Sequence, residues 1–216
     1  MRLPDTPGFF TCNACTLCNN PYDLRSPVAG DGPVPADIMF IGQTPGKVEQ
    51  RTMKPFQGPA GHQLDMVIEE CGLTRDQIYI TNVVKQRPDD GGKDRKPSYA
   101  EMAACTQWLA IEIATVQPKV IVCFGETAQQ LAFPGLKPHQ CQGLLRVKGG
   151  IIWLGTYHPA WILYKRDPAL RQYLVDTVHK ANTLAASSIT PAPGALELMP
   201  GVTYTTELSV STTTST

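Results

Sequence analysis

The sequence predicts an α/β fold, a three-layer α/β/α sandwich around a central four-stranded parallel sheet. Four short runs rich in Ile and Val have the composition of strands that are buried on both faces. These runs are ADIMFIG (36–42), IYITNVV (78–84), KVIVCFG (119–125) and IIWLGTY (151–157). Helical patterns lie between them, and an alternation of strands and helices favours a parallel sheet covered by helices on both sides.

Three segments have the periodicity of amphipathic helices. In residues 61–72 apolar side chains recur on one face, and Gly72 is expected to end the helix. Residues 98–118 begin with Ser98 and Glu101 at the spacing of a capping box, and Pro118 ends the pattern. Residues 168–186 carry the last such pattern. These segments supply the outer layers of the predicted sandwich.

Length and composition bound the organisation of the chain. The 216 residues, 42% of them hydrophobic, suit one globular domain, which we expect to span residues 1–186. Nineteen basic and nineteen acidic residues cancel, so no overall positive charge indicates a nucleic-acid partner. The N-terminus has no apolar signal core and no run of eighteen apolar residues occurs, so we expect a cytoplasmic monomer that does not contact membranes.

The last thirty residues differ in composition from the rest. Residues 187–216 are rich in Ser, Thr and Pro and have little helical period. We expect them to form a disordered tail, for which the sequence identifies no partner.

Polar residues follow the predicted strands at the edge where a ligand is expected. In open parallel sheets the ligand site lies beyond the carboxyl ends of the strands. The residues at this edge are Gln43 and Thr44 after the first strand, Asn82 and Lys85 around the end of the second, and His158 after the fourth. We therefore expect them to lie near one site.

The loop at residues 42–61, GQTPGKVEQRTMKPFQGPAG, is rich in glycine. Its spacing matches neither the dinucleotide-binding motif nor the phosphate-binding P-loop. It offers close approach to its backbone, one carboxylate (Glu49) and one ring that can stack (Phe56). These features suit a flat, neutral, hydrogen-bonding ligand such as a nucleobase, and a plain strand–helix connection is the alternative.

The segment CNACTLC (12–18) has the C-x₂-C-x₂-C spacing that is typical of iron–sulfur or zinc ligands. Three cysteines this close rarely result from packing, so Cys12, Cys15 and Cys18 predict a metal site. A fourth ligand must come from elsewhere in the chain. Cys105 is the candidate, and a buried helix cysteine is its alternative interpretation.

The segment TYHPAWILYKRDP (156–168) combines a histidine with apolar and basic residues directly after a buried strand. His158 could donate a hydrogen bond to a developing anion, or it could simply cap a turn. The apolar residues that could wedge into a base stack are Trp161, Ile162 and Leu163. Lys165 and Arg166 could contact phosphates.

Taken together, these segments resemble the uracil-DNA glycosylase superfamily, and most of all its family 4, the iron–sulfur members. The shared motifs, in the family's order, are CTLC (15–18), GDG (30–32), GQTPGKVE (42–49), PFQGPAG (55–61), TNVVKQRP (81–88), EMAAC (101–105) and YHPA (157–160). The resemblance covers about residues 12 to 185, and the joint occurrence of ordered motifs makes it specific.

The resemblance implies a chemistry for the predicted site. The target nucleotide is flipped out of the duplex, because its glycosidic bond is inaccessible within the stack. Phe56 would stack on the base and Asn82 would read its Watson–Crick edge. His158 would donate to the base oxygen as negative charge builds on the departing uracil. The sugar passes through an oxocarbenium-like state, so no covalent nucleophile is required.

The resemblance assigns further residues to the site. Gly42 and Thr44 would line the base pocket, and Lys85 would contact DNA. Glu49 would either position the attacking water or exclude the methyl group of thymine. The implied cofactor is a structural [4Fe–4S] cluster.

Three positions depart from the family pattern. Gln43 stands where the family has Glu, and a neutral amide cannot act as a general base. Gln86 replaces the third cluster cysteine, so either Cys12 substitutes for it or the cluster is incomplete; we favour substitution, which gives the ligands Cys12, Cys15, Cys18 and Cys105. Ala160 replaces the Ser that usually follows His-Pro.

The expected function is that of a monofunctional DNA glycosylase, which hydrolyses the N-glycosidic bond of uracil in single- or double-stranded DNA during base excision repair. Gln43 and Thr44 leave open a glycosylase for another damaged or modified base. The lost acid and the long tail leave open a non-catalytic DNA-binding accessory module.

Overall fold

The computed structural model describes residues 3–18, 26–187, 196–199 and 202–204. In chain order the helices and strands are β1 (Ile38–Gly42), α1 (Lys47–Thr52), α2 (Pro59–Glu70), β2 (Ile78–Asn82), β3 (Asp89–Asp90), β4 (Lys93–Asp94), α3 (Tyr99–Val116), β5 (Val120–Phe124), α4 (Gly125–Gln129), α5 (Pro138–Cys141), β6 (Leu145–Lys148), β7 (Ile151–Thr156), α6 (Pro159–Lys165), α7 (Pro168–Ala186), β8 (Leu196–Met199) and β9 (Val202–Tyr204).

The central sheet has the strand order β2-β1-β5-β7-β6. The first four strands are parallel, as the sequence predicts, and each is buried along its whole length. The fifth strand, β6, pairs antiparallel with β7 and adds an edge that the sequence did not indicate. Its residues, LRVK, are mostly exposed and two of them are basic, which suits an edge strand.

The two faces of the sheet build two apolar cores, which confirms the three-layer α/β/α prediction. One core joins Phe40 and Val122 of the sheet to apolar residues of α2, α6 and α7. The other joins Ile41 and Ile121 to α3 and to the N-terminal segment that carries the cysteines. The alternation of side chains along each strand produces this division.

The structure differs from the expectation of a disordered tail at seven residues. Strands β8 and β9 form an antiparallel pair, and β8 buries Leu196, Leu198 and Met199 in the core that contains α3. Alternating apolar residues can form a strand even inside a segment of polar composition. Residues 188–195, 200–201 and 205–216 lie outside the described part of the chain.

Across the described ranges, no helix combines the length and the apolar character that crossing a membrane requires.

Replacing Leu198 by Ala should lower the free energy of unfolding by about 2–4 kcal/mol, because a buried leucine is lost and the site collapses only in part. Denaturant unfolding measures the change. The neighbouring Glu197 is exposed, so Glu197→Gln should change stability by less than about 1 kcal/mol. Equal stability of the Leu198→Ala variant and the parent would show that β8 is not part of the folded core.

Candidate functional site

A cleft of about 640 Å³ lies beyond the carboxyl ends of β1, β2 and β7. Its lining includes six of the residues that the sequence assigned to a base pocket or to catalysis: Gln43, Thr44, Glu49, Phe56, Asn82 and His158. The structure thus brings together residues that are up to 115 positions apart in the chain (158 minus 43). Its volume is that of a small-molecule site.

The topology of the sheet explains the position of the cleft. The chain leaves β1 toward β2 on one side, whereas β5 lies on the other side of β1. The connections that follow β1 and β5 therefore run to opposite sides of the sheet order, and in parallel sheets a crevice forms between two strands where this happens. A hydrogen bond from Thr127 Oγ1 of α4 to Gln43 Oε1 (2.9 Å) crosses it. This bond engages the amide oxygen of Gln43, and among the described residues its Nε2 has no hydrogen-bond partner, so the Nε2 can donate to a ligand.

Gly42 ends β1 directly beside Asn82, its partner in the parallel register with β2. A Cβ at Gly42 would lie 2.5 Å from Asn82 Oδ1 and 2.6 Å from the ring of Phe56. Both groups therefore need a glycine at this position. Asn82 is 3% exposed, and its side-chain amide makes no hydrogen bond to the described residues. Since a buried amide is costly when unpaired, this one is available to a ligand.

Phe56 is held in a left-handed backbone conformation, with φ of 52°. Such a conformation is uncommon for a bulky residue and persists only where the surroundings fix it. Arg75 provides part of that fixation, because its Nη2 donates to the carbonyl oxygens of Pro55 (2.6 Å) and Phe56 (3.1 Å). Gly61 provides another part, since a Cβ there would collide with the Phe56 carbonyl.

The ring of Phe56 contacts two other rings. It stacks on His158 with centroids 5.5 Å apart and 22° between the planes, and it meets Phe124 edge-on at 5.9 Å. The aromatic wall of the cleft is therefore rigid before a ligand enters.

Glu49 is buried and accepts hydrogen bonds from backbone N–H groups at both ends of the glycine-rich loop. Its Oε1 accepts from Gln57 (2.9 Å) and Gly58 (2.8 Å), and its Oε2 accepts from Gly46 (3.0 Å). Gly46 and Gly58 are the N-caps of α1 and α2, so the carboxylate joins the starts of two helices. A carboxylate has about four acceptor positions, which leaves one on Oε2.

His158 is the N-cap of α6, and its Nδ1 accepts a hydrogen bond from the backbone N–H of Ala160 (3.1 Å). Since Nδ1 is an acceptor, the neutral ring carries its proton on Nε2. Burial lowers the pKa of the imidazole to about 4, although the charge of Glu49 opposes the shift. The ring is therefore a neutral Nε2–H donor at pH 7. The capping interpretation is correct, and the donor interpretation stays a prediction.

Two residues assigned to DNA contact are placed differently by the structure. Lys85 is 1% exposed and forms an ion pair with Glu112, so its assignment as a DNA contact is wrong. Ile162 packs in the core with α2 and α7, because it faces inward from α6. The sequence assignment overlooked that a helix at the protein surface buries one side.

The outer side of α6 exposes an aromatic and basic surface. Trp161, Leu163, Lys165 and Arg166 are exposed, and Trp161 and Leu163 line the mouth of the cleft. Tyr164, which is 75% exposed and was missed, stacks on Trp161 at 5.5 Å. Lys165 Nζ lies 4.9 Å above the Trp161 ring. The spacing of Trp161 and Tyr164 by three residues could have indicated this pair.

A small hairpin, β3–β4, contributes two further lining residues that the sequence analysis missed, Asp94 and Arg95. Arg87 holds the hairpin, since its Nε donates to Asp94 (2.5 Å) and its Nη2 to the carbonyl of Gly92 (2.8 Å). Arg95 forms a bidentate ion pair with Glu101 at the start of α3. The Gly-Gly pair at 91–92 is a turn signal that could have indicated the hairpin.

The cysteines assigned to a cluster lie around α3: Cys105 is buried in the core that joins α3 to the sheet, and Cys12 and Cys15 pack against that core. Trp108 Nε1 donates to Cys12 Sγ (3.4 Å), and the Lys85 backbone N–H donates to Cys105 Sγ (3.2 Å). A hydrogen bond from Cys18 lowers the pKa of Cys15 to about 6. Burial raises the pKa of Cys105 to about 12, and the charges of Cys15 and Cys12 add to the rise. The four thiols are thus within electrostatic reach of one another.

Gln86 lies at the same segment. Cys18 Sγ donates to its Oε1 (3.7 Å), and its Nε2 donates to the Leu17 carbonyl (3.0 Å). Among the described residues, no three His, Cys, Asp or Glu side chains converge closely enough to hold a metal ion. The donor set nevertheless fits an iron–sulfur cluster in its chemistry, because it supplies four sulfur ligands and N–H donors to two of the sulfurs.

Comparisons with known proteins find one family model and several relatives that match most of this chain. Residues 29–181 match the model of the Uracil DNA glycosylase superfamily. The type-4 uracil-DNA glycosylase of Thermotoga maritima is 35% identical over 176 residues, which cover 78% of this chain and 88% of that protein. The type-4 uracil-DNA glycosylase of Sulfurisphaera tokodaii is 36% identical over 193 residues, which cover 84% of this chain and 82% of that protein. The type-4 uracil-DNA glycosylase of Archaeoglobus fulgidus is 34% identical over 169 residues, which cover 74% of this chain and 82% of that protein.

His158 should remain neutral down to about pH 4, well below the usual histidine value of 6.5. Between these two values the unfolded chain binds a proton that the folded chain does not, so the free energy of unfolding should fall as the pH is lowered through this window. An NMR titration of the imidazole, assigned with a His158→Ala variant, measures the pKa. Unfolding at pH 7 and pH 4.5 measures the stability change. A ring that titrates near pH 6.5 would contradict the neutral-donor assignment.

Proposed function

The chain belongs to the uracil-DNA glycosylase superfamily, and on that premise we propose that it is a monofunctional DNA glycosylase that hydrolyses the N-glycosidic bond of uracil in DNA. The observation that carries the proposal is the convergence of Phe56, Asn82 and His158 on one cleft. A stacking ring, an unpaired amide and a neutral N–H donor are together what a flipped nucleobase requires.

Phe56 and Asn82 bind the flipped base. The fixed ring of Phe56 provides a stacking face, which costs no reorganisation when the base arrives. The amide of Asn82 both donates and accepts, so it matches the adjacent carbonyl and N–H of a uracil edge. Gly42 keeps these two groups in contact. Recognition of uracil over cytosine requires the amide to keep this one orientation, because cytosine presents the reversed donor and acceptor pair.

His158 stabilises the departing base. As the glycosidic bond breaks, its electrons move to the base and negative charge builds on the base oxygens. The Nε2–H of the neutral imidazole donates to that oxygen, and a donor fixed in advance acts mostly in the transition state. The Nε2 of Gln43 adds a second neutral donor to the same cleft.

Glu49 holds the loop and one water molecule. Three of its acceptor positions bind the backbone, and the remaining position on Oε2 accepts a hydrogen bond from the water that attacks the sugar. The water adds its oxygen to the anomeric carbon, and its proton leaves through the carboxylate or solvent. The reaction needs no covalent nucleophile from the chain.

The exposed side of α6 is the DNA-binding surface that supports base flipping. Trp161 and Leu163 stand at the mouth of the cleft, with Tyr164 and Lys165 beside them. Apolar side chains at this position can fill the space that the flipped nucleotide leaves, and Lys165 and Arg166 can meet phosphates.

We assign a structural [4Fe–4S] cluster to Cys12, Cys15, Cys18 and Cys105. The position of Gln86 against Cys18 and Leu17 supports a replacement of the third cysteine by Cys12. When bound, the cluster would crosslink the N-terminal segment to α3. It takes no part in the bond-breaking step.

Incubation with uracil-containing single- and double-stranded oligonucleotides, followed by alkali, tests the activity. We expect strand scission at uracil, and a single-turnover rate reduced about 10²- to 10³-fold by His158→Ala and by Asn82→Ala, because each removes a hydrogen-bonding partner of the base. His139→Ala, at an exposed histidine, is the matched control and should retain the rate.

Other outcomes of this assay distinguish the alternatives. A higher rate on hypoxanthine or a modified pyrimidine than on uracil would assign the cleft to another lesion. Binding of uracil-containing DNA without release of the base would support the non-catalytic module.

The cluster is tested by colour and by an exchange of residues. Protein purified without oxygen should be brown, with broad absorption toward the blue end of the visible spectrum. Cys12→Ala should bleach it, whereas Cys71→Ala, in the core below α7, should not. Combining Cys12→Ala with Gln86→Cys should restore the colour. Undiminished absorption of Cys12→Ala would refute the replacement of the third cysteine by Cys12.

A further inference from the structure

A buried ion pair lies directly behind the cleft, and the proposed mechanism does not use it. Lys85 Nζ donates to Glu112 Oε2 at 2.5 Å, and each side chain is 1% exposed. The same ammonium donates to Thr81 Oγ1 (2.7 Å) and to the backbone carbonyl of Asn82 (2.7 Å). An ammonium has three N–H donors, so all of them are used.

Glu112 is also saturated. Its Oε2 accepts a second hydrogen bond from Thr81 Oγ1 (2.8 Å), and its Oε1 accepts from Gly30 N (2.7 Å) and from the Tyr79 hydroxyl (3.1 Å). A buried ion pair contributes little stability compared with apolar residues of similar volume, because both charges lose their hydration. Its geometry is therefore better explained by what it positions than by the stability that it provides.

Lys85 holds the backbone of Asn82 in place. Asn82 is the last residue of β2, and its carbonyl points to the ammonium of a residue three positions later. The backbone of Asn82 thus receives a charged donor on one side, while Gly42 contacts its side chain on the other. Displacement of a base-reading group by about 1 Å can reduce a rate about a hundredfold.

Helix α3 fixes Lys85 at two points. Cys105 Sγ accepts from the Lys85 backbone N–H, and Glu112 binds its ammonium. Residues seven positions apart lie on one side of a helix, about two turns from each other. Helix α3, which carries Cys105, therefore also fixes Lys85, and Lys85 in turn fixes Asn82.

We propose that Lys85 is a positioning residue for base recognition, with Glu112 as its counter-ion: the buried ammonium fixes the Asn82 carbonyl and thereby the amide that reads the flipped base. The proposal rests on the proposed function. Lys85, which was expected to contact DNA directly, thus acts on base recognition through Asn82 from inside the protein.

The test compares kcat, KM and thermal unfolding of the full-length variants on a uracil-containing single-stranded oligonucleotide. Lys85→Met leaves the Glu112 charge unpaired, so the informative variant is Lys85→Met/Glu112→Gln, which removes both charges. We expect it to unfold close to the parent's temperature and to keep its visible absorption, while kcat falls about tenfold to a hundredfold and KM changes less than threefold.

Two further variants separate positioning from folding. Glu112→Gln keeps the N–H donors of Lys85 on Asn82 but leaves the buried ammonium without its counter-ion, so we expect it to lower the unfolding temperature and to lower kcat less than the double variant does. Val116→Ala, in the core on the same helix, is the matched control and should lower the unfolding temperature without lowering kcat.

The outcomes decide between the claims. Parental kcat in the double variant, or an equal loss in Glu112→Gln and the double variant, would overturn the positioning role. If the double variant does not fold at the assay temperature, Lys85→Met takes its place and is assayed beside Val116→Ala at a temperature at which both are folded; equal kcat in these two variants would overturn the positioning role. Absence of uracil release by the parent protein itself would instead remove the proposed function.

Discussion

The cleft depends on the absence of a side chain at Gly42. At this point the parallel register of β1 and β2 brings the backbone of one strand against Asn82 of the next, while Phe56 descends from the glycine-rich loop. A single methyl group would overlap both. The stacking face and the base-reading amide can therefore be neighbours only because the strand between them ends in glycine, and the strained backbone of Phe56 is tolerated to complete this contact.

Glu49 turns the glycine-rich loop into one rigid unit. Residues 43–58 contain little regular structure apart from α1, yet one carboxylate satisfies backbone N–H groups at the starts of two helices. One acid is therefore enough to fix this glycine-rich loop, because the carboxylate of Glu49 faces the positive ends of both helix dipoles. The two roles that sequence suggested, positioning water and excluding a methyl group, are both compatible with such a fixed carboxylate.

Much of this molecule could be predicted from its sequence, and the failures have common causes. Buried parallel strands are continuous apolar runs, so four of them and the edge at which Gln43, Asn82 and His158 meet were predictable. Strand β6 is short and mostly exposed, and the β8–β9 pair is short and lies in a segment of polar composition, so the pairing of these strands depends on tertiary contacts. The burial of Lys85 could not be foreseen, because its partner Glu112 is distant in sequence and lies on a helix whose inward side contains an acid.

The substitution of Gln for Glu at position 43 changes the charge of the cleft more than its shape. Gln43, Asn82 and His158 all present neutral groups. Two carboxylates line the cleft: Glu49 is surrounded by three N–H donors, and Asp94 is paired with Arg87 on the hairpin. A further carboxylate at position 43 would favour the cationic sugar but would oppose charge on the departing base. With an amide at position 43, the cleft favours the leaving anion, and the sugar cation must find its stabilisation from Glu49 and from the DNA phosphates. Under the proposed function, the rate therefore depends on how well these neutral donors fit the base, which places the weight of catalysis on the geometry of Asn82 and His158.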